Sequence, residues 1–205
     1  MGIRILCSTI LIYCVAVSGA NGDVSWYREA KYGINMLYQY GYGATPPEYG
    51  TYHSSEQWNY MIDNFDVEGL ADQLVEIGAG YIQFFVTSRH TSYTAAPSHV
   101  FDSITGCEPG ELCSRRDLVM DMSDAFRKRG LRIILSWLIS EDDGKGATNW
   151  SRVEKMGSGT TLRDNRIRML EEFASRYGDR VAGWWIYSHE YAGDTEVNTD
   201  APRMI

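Results

Sequence analysis

Apolar positions along the chain recur in two alternating rhythms. Short, nearly continuous apolar runs at Tyr32 to Tyr38, Tyr81 to Thr87, Leu131 to Leu138 and Val181 to Tyr187 have the length and composition of strands covered on both faces. Between them the period lengthens to that of a helix. Leu70, Leu74 and Ile77 follow an N-cap at Asp66 and stop at Gly78, and Leu118, Met122 and Phe126 follow Ser114 and Asp117, spaced as a capping box, and stop at Gly130. Ile167, Leu170 and Phe173 follow Thr161 and Asp164 and stop at Gly178. Two stretches lack either rhythm: a Gly-, Pro- and Tyr-rich loop through Tyr49 that leads into a segment around Trp58, and the long connection holding Cys107 and Cys113. Strand and helix alternating in this way predict an α/β fold with a parallel sheet and right-handed crossovers.

The ends of the apolar runs distinguish between the sheets that could satisfy this alternation. A dinucleotide-binding sheet requires a GxGxxG turn after its first strand, whereas Gly41-Tyr42-Gly43 is followed by Ala44, Thr45 and Pro46. The sequence also has no GxxxxGK[ST] loop, GxSxG elbow or HExxH helix. Three runs instead finish in polar and aromatic clusters, Phe85 to His90, Ser136 to Ser140 and Tyr187 to Glu190. A barrel enzyme lines its mouth in this way. The expectation is a partial (β/α)8 TIM-type barrel of about four parallel β/α units, because 205 residues fall short of the ~250 of a complete barrel. Such a partial barrel is expected either to be a truncated or misread gene product or to self-associate through its open face and sheet edges.

Composition narrows the setting. Arg4, the apolar stretch from Ile5 to Val17 and the small residues Ser18-Gly19-Ala20 read as a signal peptide over residues 1–20, predicting a secreted, extracellular or lysosomal protein rather than one anchored in a membrane. Removing it takes away Cys7 and Cys14 and leaves Cys107 and Cys113, a pair expected to close a small disulfide ring in an oxidising compartment. Zinc is the competing use of these two thiols, but the four histidines are scattered, with no paired spacing to complete a site. Asn149-Trp150-Ser151 is a glycosylation sequon. The formal net charge of −8, without a basic cluster interleaved with aromatics, argues against nucleic acid as a partner. Aromatics make up 13% of the chain, enough to serve a core, a sugar site or both.

Several segments carry a family resemblance through their order and spacing. They are Trp26 to Ile34, Gly78-Ala79-Gly80-Tyr81, Thr87-Ser88-Arg89-His90, Ser114 to Val119 and Gly183-Trp184-Trp185. Together they resemble the N-terminal half of the catalytic domain of glycoside hydrolase family 29, the α-L-fucosidases, over about Trp26 to Tyr187. The resemblance implies that residues 21–205 form part of a (β/α)8 catalytic barrel acting on fucosylated glycans by a retaining mechanism with no cofactor. Retention uses two carboxyl groups about 5 Å apart, one attacking the anomeric carbon and one protonating the leaving oxygen.

The resemblance also assigns roles to positions. The family's attacking Asp follows the aromatic pair at the end of strand four, and here that position is Tyr187. Glu190, three residues on, is the candidate base for a phenol nucleophile, and the family's acid/base residue lies beyond strand four. Tyr38 and its neighbour Leu37 stand where the first-strand motif pairs a His with a Trp, and His90 beside Thr91 stands in the paired-His motif of the second strand. Glu56 and Trp58, separated by Gln57, resemble the Glu-Trp pair that contacts fucose. Trp137 and Trp185 are candidates to stack on a sugar, although aromatics at strand positions are also frequent core residues. Two readings follow: an α-L-fucosidase-like hydrolase that is truncated or impaired at Tyr187, or a secreted, catalytically dead remnant that binds carbohydrate or a partner.

Overall fold

The computed structural model describes residues 25–38, 54–86, 94–138 and 154–187. The leader 1–20, His90, Asn149 and Glu190 lie outside these residues. In chain order the elements are α1 (Ser25–Glu29), β1 (Gly33–Met36), α2 (Ser55–Asp63), α3 (Val67–Glu76), β2 (Tyr81–Phe85), α4 (His99–Thr105), α5 (Leu118–Arg127), β3 (Arg132–Leu138), α6 (Gly159–Tyr177) and β4 (Gly183–Tyr187). The strands form one sheet in the order β1-β2-β3-β4, with every neighbouring pair parallel. Parallel neighbours in sequence order are the topology of successive β/α units in a barrel wall.

Register decides which side chains reach the core. Ile34 pairs with Ile82 and Ile82 with Ile133, while Met36, Phe84, Leu135 and Trp184 form the next row across all four strands. Ile82, Phe84 and Leu135 are fully buried, and Trp137, of the same parity, packs edge-on against Phe173 of α6 at 5.3 Å. This is the helix-covered face. On it converge Trp58 and Ile62 of α2, Leu74 of α3, Leu118, Met122 and Phe126 of α5, and Phe173 and Tyr177 of α6. Burial of this kind contributes about 1.5–3 kcal/mol per large apolar side chain.

The helices start where a side chain can accept an orphan backbone N–H. Ser54 accepts from Gln57, Asp66 from Gly69, Ser98 from Phe101 and Asp117 from Met120, at 2.8 to 3.1 Å. Each such cap stabilises its helix by about 1 kcal/mol. The other end of α2 is closed by Arg116, whose guanidinium donates to the carbonyls of Ile62, Asp63 and Phe65. Between β/α units, Arg129 reaches from the end of α5 to Glu68 and Asp72 of α3. At the base of the sheet, Gly80 lies so close to α1 that an added Cβ would stand 2.5 Å from the Cβ of Ala30.

Three local expectations are corrected. The cap of α5 is Asp117 alone, because the Ser114 hydroxyl is turned to the Arg116 carbonyl at 2.7 Å. The last long helix begins at Gly159, ahead of Thr161, after a 3-10 turn at Glu154–Met156 and a left-handed Gly157 (φ 87°). The connection holding the cysteines and the segment around Trp58 contain helices α4 and α2 respectively. The packing yields a test: Phe173→Ala should cost about 3–5 kcal/mol in urea denaturation, whereas Ile167→Ala, exposed on the same helix, should cost under about 1 kcal/mol.

Candidate active site

The face of the sheet turned away from the helices carries a different chemistry. Its residues by register are Gly33, Tyr81 and Arg132 at the amino ends, then Asn35, Gln83, Ile134 and Gly183, then Phe85, Ser136 and Trp185. Gln83 donates its amide to the Ser136 hydroxyl at 2.8 Å, which joins β2 to β3 by side chains as well as backbone. Ser136 is in turn the register partner of Trp185, the large aromatic of this face that remains 46% exposed. The amino end is closed by aromatics: Trp26 and Tyr27 of α1 pack on Tyr81 at 6.0 and 5.1 Å, and the Arg132 guanidinium lies 4.9 Å from the Trp26 ring centre. A ligand would therefore approach from the carboxyl ends of the strands, where Trp185 stands.

The residues singled out in the sequence separate into two groups. Trp185 lies on the open face, and Tyr187 ends β4 with its backbone paired to Leu138. Tyr38, Trp58 and Trp137 belong to the helix side. The Tyr38 ring stands edge-on to Phe65 at 4.7 Å, its hydroxyl donates to the Met61 carbonyl at 3.3 Å, and burial raises its pKa above the usual phenol value. Trp58 is 1% exposed and gives its indole N–H to the Thr94 carbonyl at 2.9 Å. Trp137 is equally buried, with an indole N–H that has no acceptor among the described residues. In this conformation neither tryptophan presents a face to a ligand. Glu56 is exposed in the first turn of α2, two residues from Trp58 in number but on the solvent side of the helix.

Cys107 and Cys113 are both buried and are not joined to each other, so the disulfide expected from their spacing is not made here. Backbone geometry holds them: Cys113 bridges to Thr94 in a short parallel contact, and Cys107 follows Gly106, the left-handed cap that ends α4. Burial raises the Cys113 thiol far above its usual range, against a weaker opposing hydrogen bond from Thr94.

Gln83 and Asn35 escaped the sequence reading, and Ser136 entered it only as the start of a strand-end cluster. The available signal was a glutamine in the middle of the apolar run Tyr81-Ile82-Gln83-Phe84-Phe85, where a strand covered by helices on both faces has no place for an amide. Among the described residues no carboxylate occupies the open face of the four strands, and no three His, Cys, Asp or Glu gather as a metal site.

Comparison with known proteins gives one consistent result. A family model described as Alpha-L-fucosidase matches residues 12–199. Among solved structures, the α-L-fucosidase AlfC from Lactobacillus casei in complex with its α-L-fucose product has a TM-score of 0.53 at 16% identity, over 81% of this chain and 62% of that one. The unliganded form of the same enzyme gives a TM-score of 0.51 at 15% identity, over 79% and 60%. The chain thus spans about three fifths of the length of these structures, and the likeness supports a partial α/β barrel. No curated protein matches the chain.

The division between core and open-face tryptophans can be measured. Trp58→Phe should lower stability by about 1–3 kcal/mol, since it removes the indole N–H, one of two donors to the buried Thr94 carbonyl, and leaves part of a filled core site empty. Trp185→Ala should change it by less than about 1 kcal/mol. Urea denaturation followed by far-ultraviolet circular dichroism reads both.

Proposed function

Because the chain belongs to the α-L-fucosidase family, we propose that its open barrel face recognises α-L-fucosyl residues of glycans and that hydrolysis is impaired at the end of strand four. One observation carries this reading. β4, Gly183-Trp184-Trp185-Ile186-Tyr187, lies in parallel register on β3, with Trp185 half-exposed two residues before the position where the family pattern has its attacking Asp. An exposed indole at the carboxyl end of a barrel strand is suited to stack on the apolar face of a deoxy sugar. The fucose-bound state of the Lactobacillus casei enzyme supports the same ligand class here.

Tyr187 is the basis for impairment. In the retaining mechanism the nucleophile must be ionised, and must leave again as a carboxylate when water attacks the glycosyl-enzyme. A phenol with an ordinary pKa near 10 is almost wholly protonated at neutral pH and needs a neighbouring base. Glu190 is the candidate by position in the sequence. The same substitution favours a second reading, in which the face binds fucosylated glycans without turning them over. The leading segment supports delivery to a secreted or lysosomal location, with Asn149 available for glycosylation.

The test is an aryl α-L-fucoside together with free fucose. The native chain should quench or shift tryptophan fluorescence on adding fucose and release aryl alcohol at the background rate. Trp185→Ala should weaken fucose binding by about ten-fold or more, the equivalent of about 1.4 kcal/mol. Tyr187→Asp should bring turnover above that background. Rapid hydrolysis by the native chain would overturn impairment, and absence of any fucose response in either protein would overturn recognition.

A further inference from the structure

We propose that the corner built from α4, the turn that follows it and α6 makes this fold more stable in mildly acidic water than in neutral water, with Asp102 as the responsive group. The cause lies in how the amino end of α4 is satisfied. Ser98 accepts the Phe101 N–H, and Glu172, reaching in from α6, takes the Ser98 hydroxyl at 2.6 Å, the His99 N–H at 2.9 Å and the Val100 N–H at 3.3 Å. By the time the chain reaches Asp102, the donors of this helix end are spent. Its Oδ1 is buried without a hydrogen-bond partner among the described residues.

The charges around Asp102 add to this. Glu172 faces it from α6, Glu108 and Glu111 from the turn after α4, and His99 from its own helix as the opposing influence. The cations of the packed elements are engaged elsewhere. Lys155 of the 3-10 turn donates to the Thr105 carbonyl at 2.9 Å, and Arg176 of α6 is shared among Glu172, Asp117 and the Pro97 carbonyl. Glu154 lies on the same turn as Lys155, and the Cys113 thiol is close enough to feel the Asp102 charge. Asp102 is half-buried, and its inward oxygen gives up hydration without gaining a donor, which costs an ionised carboxylate more than a neutral carboxyl.

The direction of the pH effect follows. Burial, reinforced by Glu172, Glu111 and Glu108 and opposed by His99, pushes Asp102 up to about 6, against about 3.9 in an unfolded chain. Below the lower value both states are protonated and the group costs nothing. As pH rises through the folded value the carboxyl ionises inside the fold, and its contribution to stability is lost. Asp117, raised mainly by burial, works in the same direction from the neighbouring helix start.

The experiment is thermal unfolding of the full chain at pH 5 and pH 7.5 in fixed salt. The native protein should melt higher at pH 5, by about 2–4 °C or more. Asp102→Asn, of the same shape but without charge, should raise the midpoint at pH 7.5 by more than at pH 5, where the unfolded carboxyl is already ionised and part of the cost is present, and so shrink the difference. A general effect of the chain's net negative charge would leave that difference intact. Should Asp102→Asn fail to fold, Glu108→Gln decides: a smaller difference supports the proposal, and an unchanged one overturns it. A native midpoint that is flat or rises towards pH 7.5 overturns it outright.

Discussion

Ile82, Phe84, Ile133, Leu135 and Trp137 are drawn out of water against a layer of helices, and the parallel ladder carries the alternate residues to the opposite face. The two faces are set by one register. Slipping a strand by a single residue would expose the apolar rows and turn Gln83, Ser136 and Trp185 into the helix layer. The placement of an open, partly polar surface at the carboxyl ends of the strands is therefore a by-product of burying the other side. Function on this face inherits its geometry from the hydrophobic effect.

Long-range polar contacts fix the helix layer. Arg176 bonds Glu172 within its own helix at 2.9 Å, lies 3.4 Å from Asp117 at the start of α5, and caps the Pro97 carbonyl before α4. The Tyr177 hydroxyl donates to Asp117 at 3.0 Å. One turn of α6 thus anchors the starts of two other helices, which apolar packing alone would position less narrowly. This explains why α4, only seven residues long, is helical at all: its first N–H groups are satisfied by a side chain more than seventy residues away.

That distance marks the limit of the sequence reading. The four strands, the Asp66 cap, the stops at Gly78, Gly130 and Gly178 and the barrel-type alternation were legible, because each rests on local periodicity or on a backbone conformation that glycine favours. Helix α4 was not, since beyond its local Ser98 cap its first two N–H groups are satisfied from α6. The site was half legible. Trp58, Trp137 and Trp185 look alike as residues, and only pairing and packing separate two core rings from one open-face ring. Gln83 was overlooked because a lone amide in an apolar run acquires meaning only when its register partners are known.

The seam between α4 and the Thr94–Cys113 bridge has a further use. Cys107 and Cys113 are sealed from water in the closed fold, and the ionised form that attacks an alkylating reagent is suppressed at Cys113. Covalent labelling at either position therefore requires that seam to part first. The speed at which a maleimide marks these two sulfurs measures how often this edge of the molecule breathes, without any probe being engineered into it.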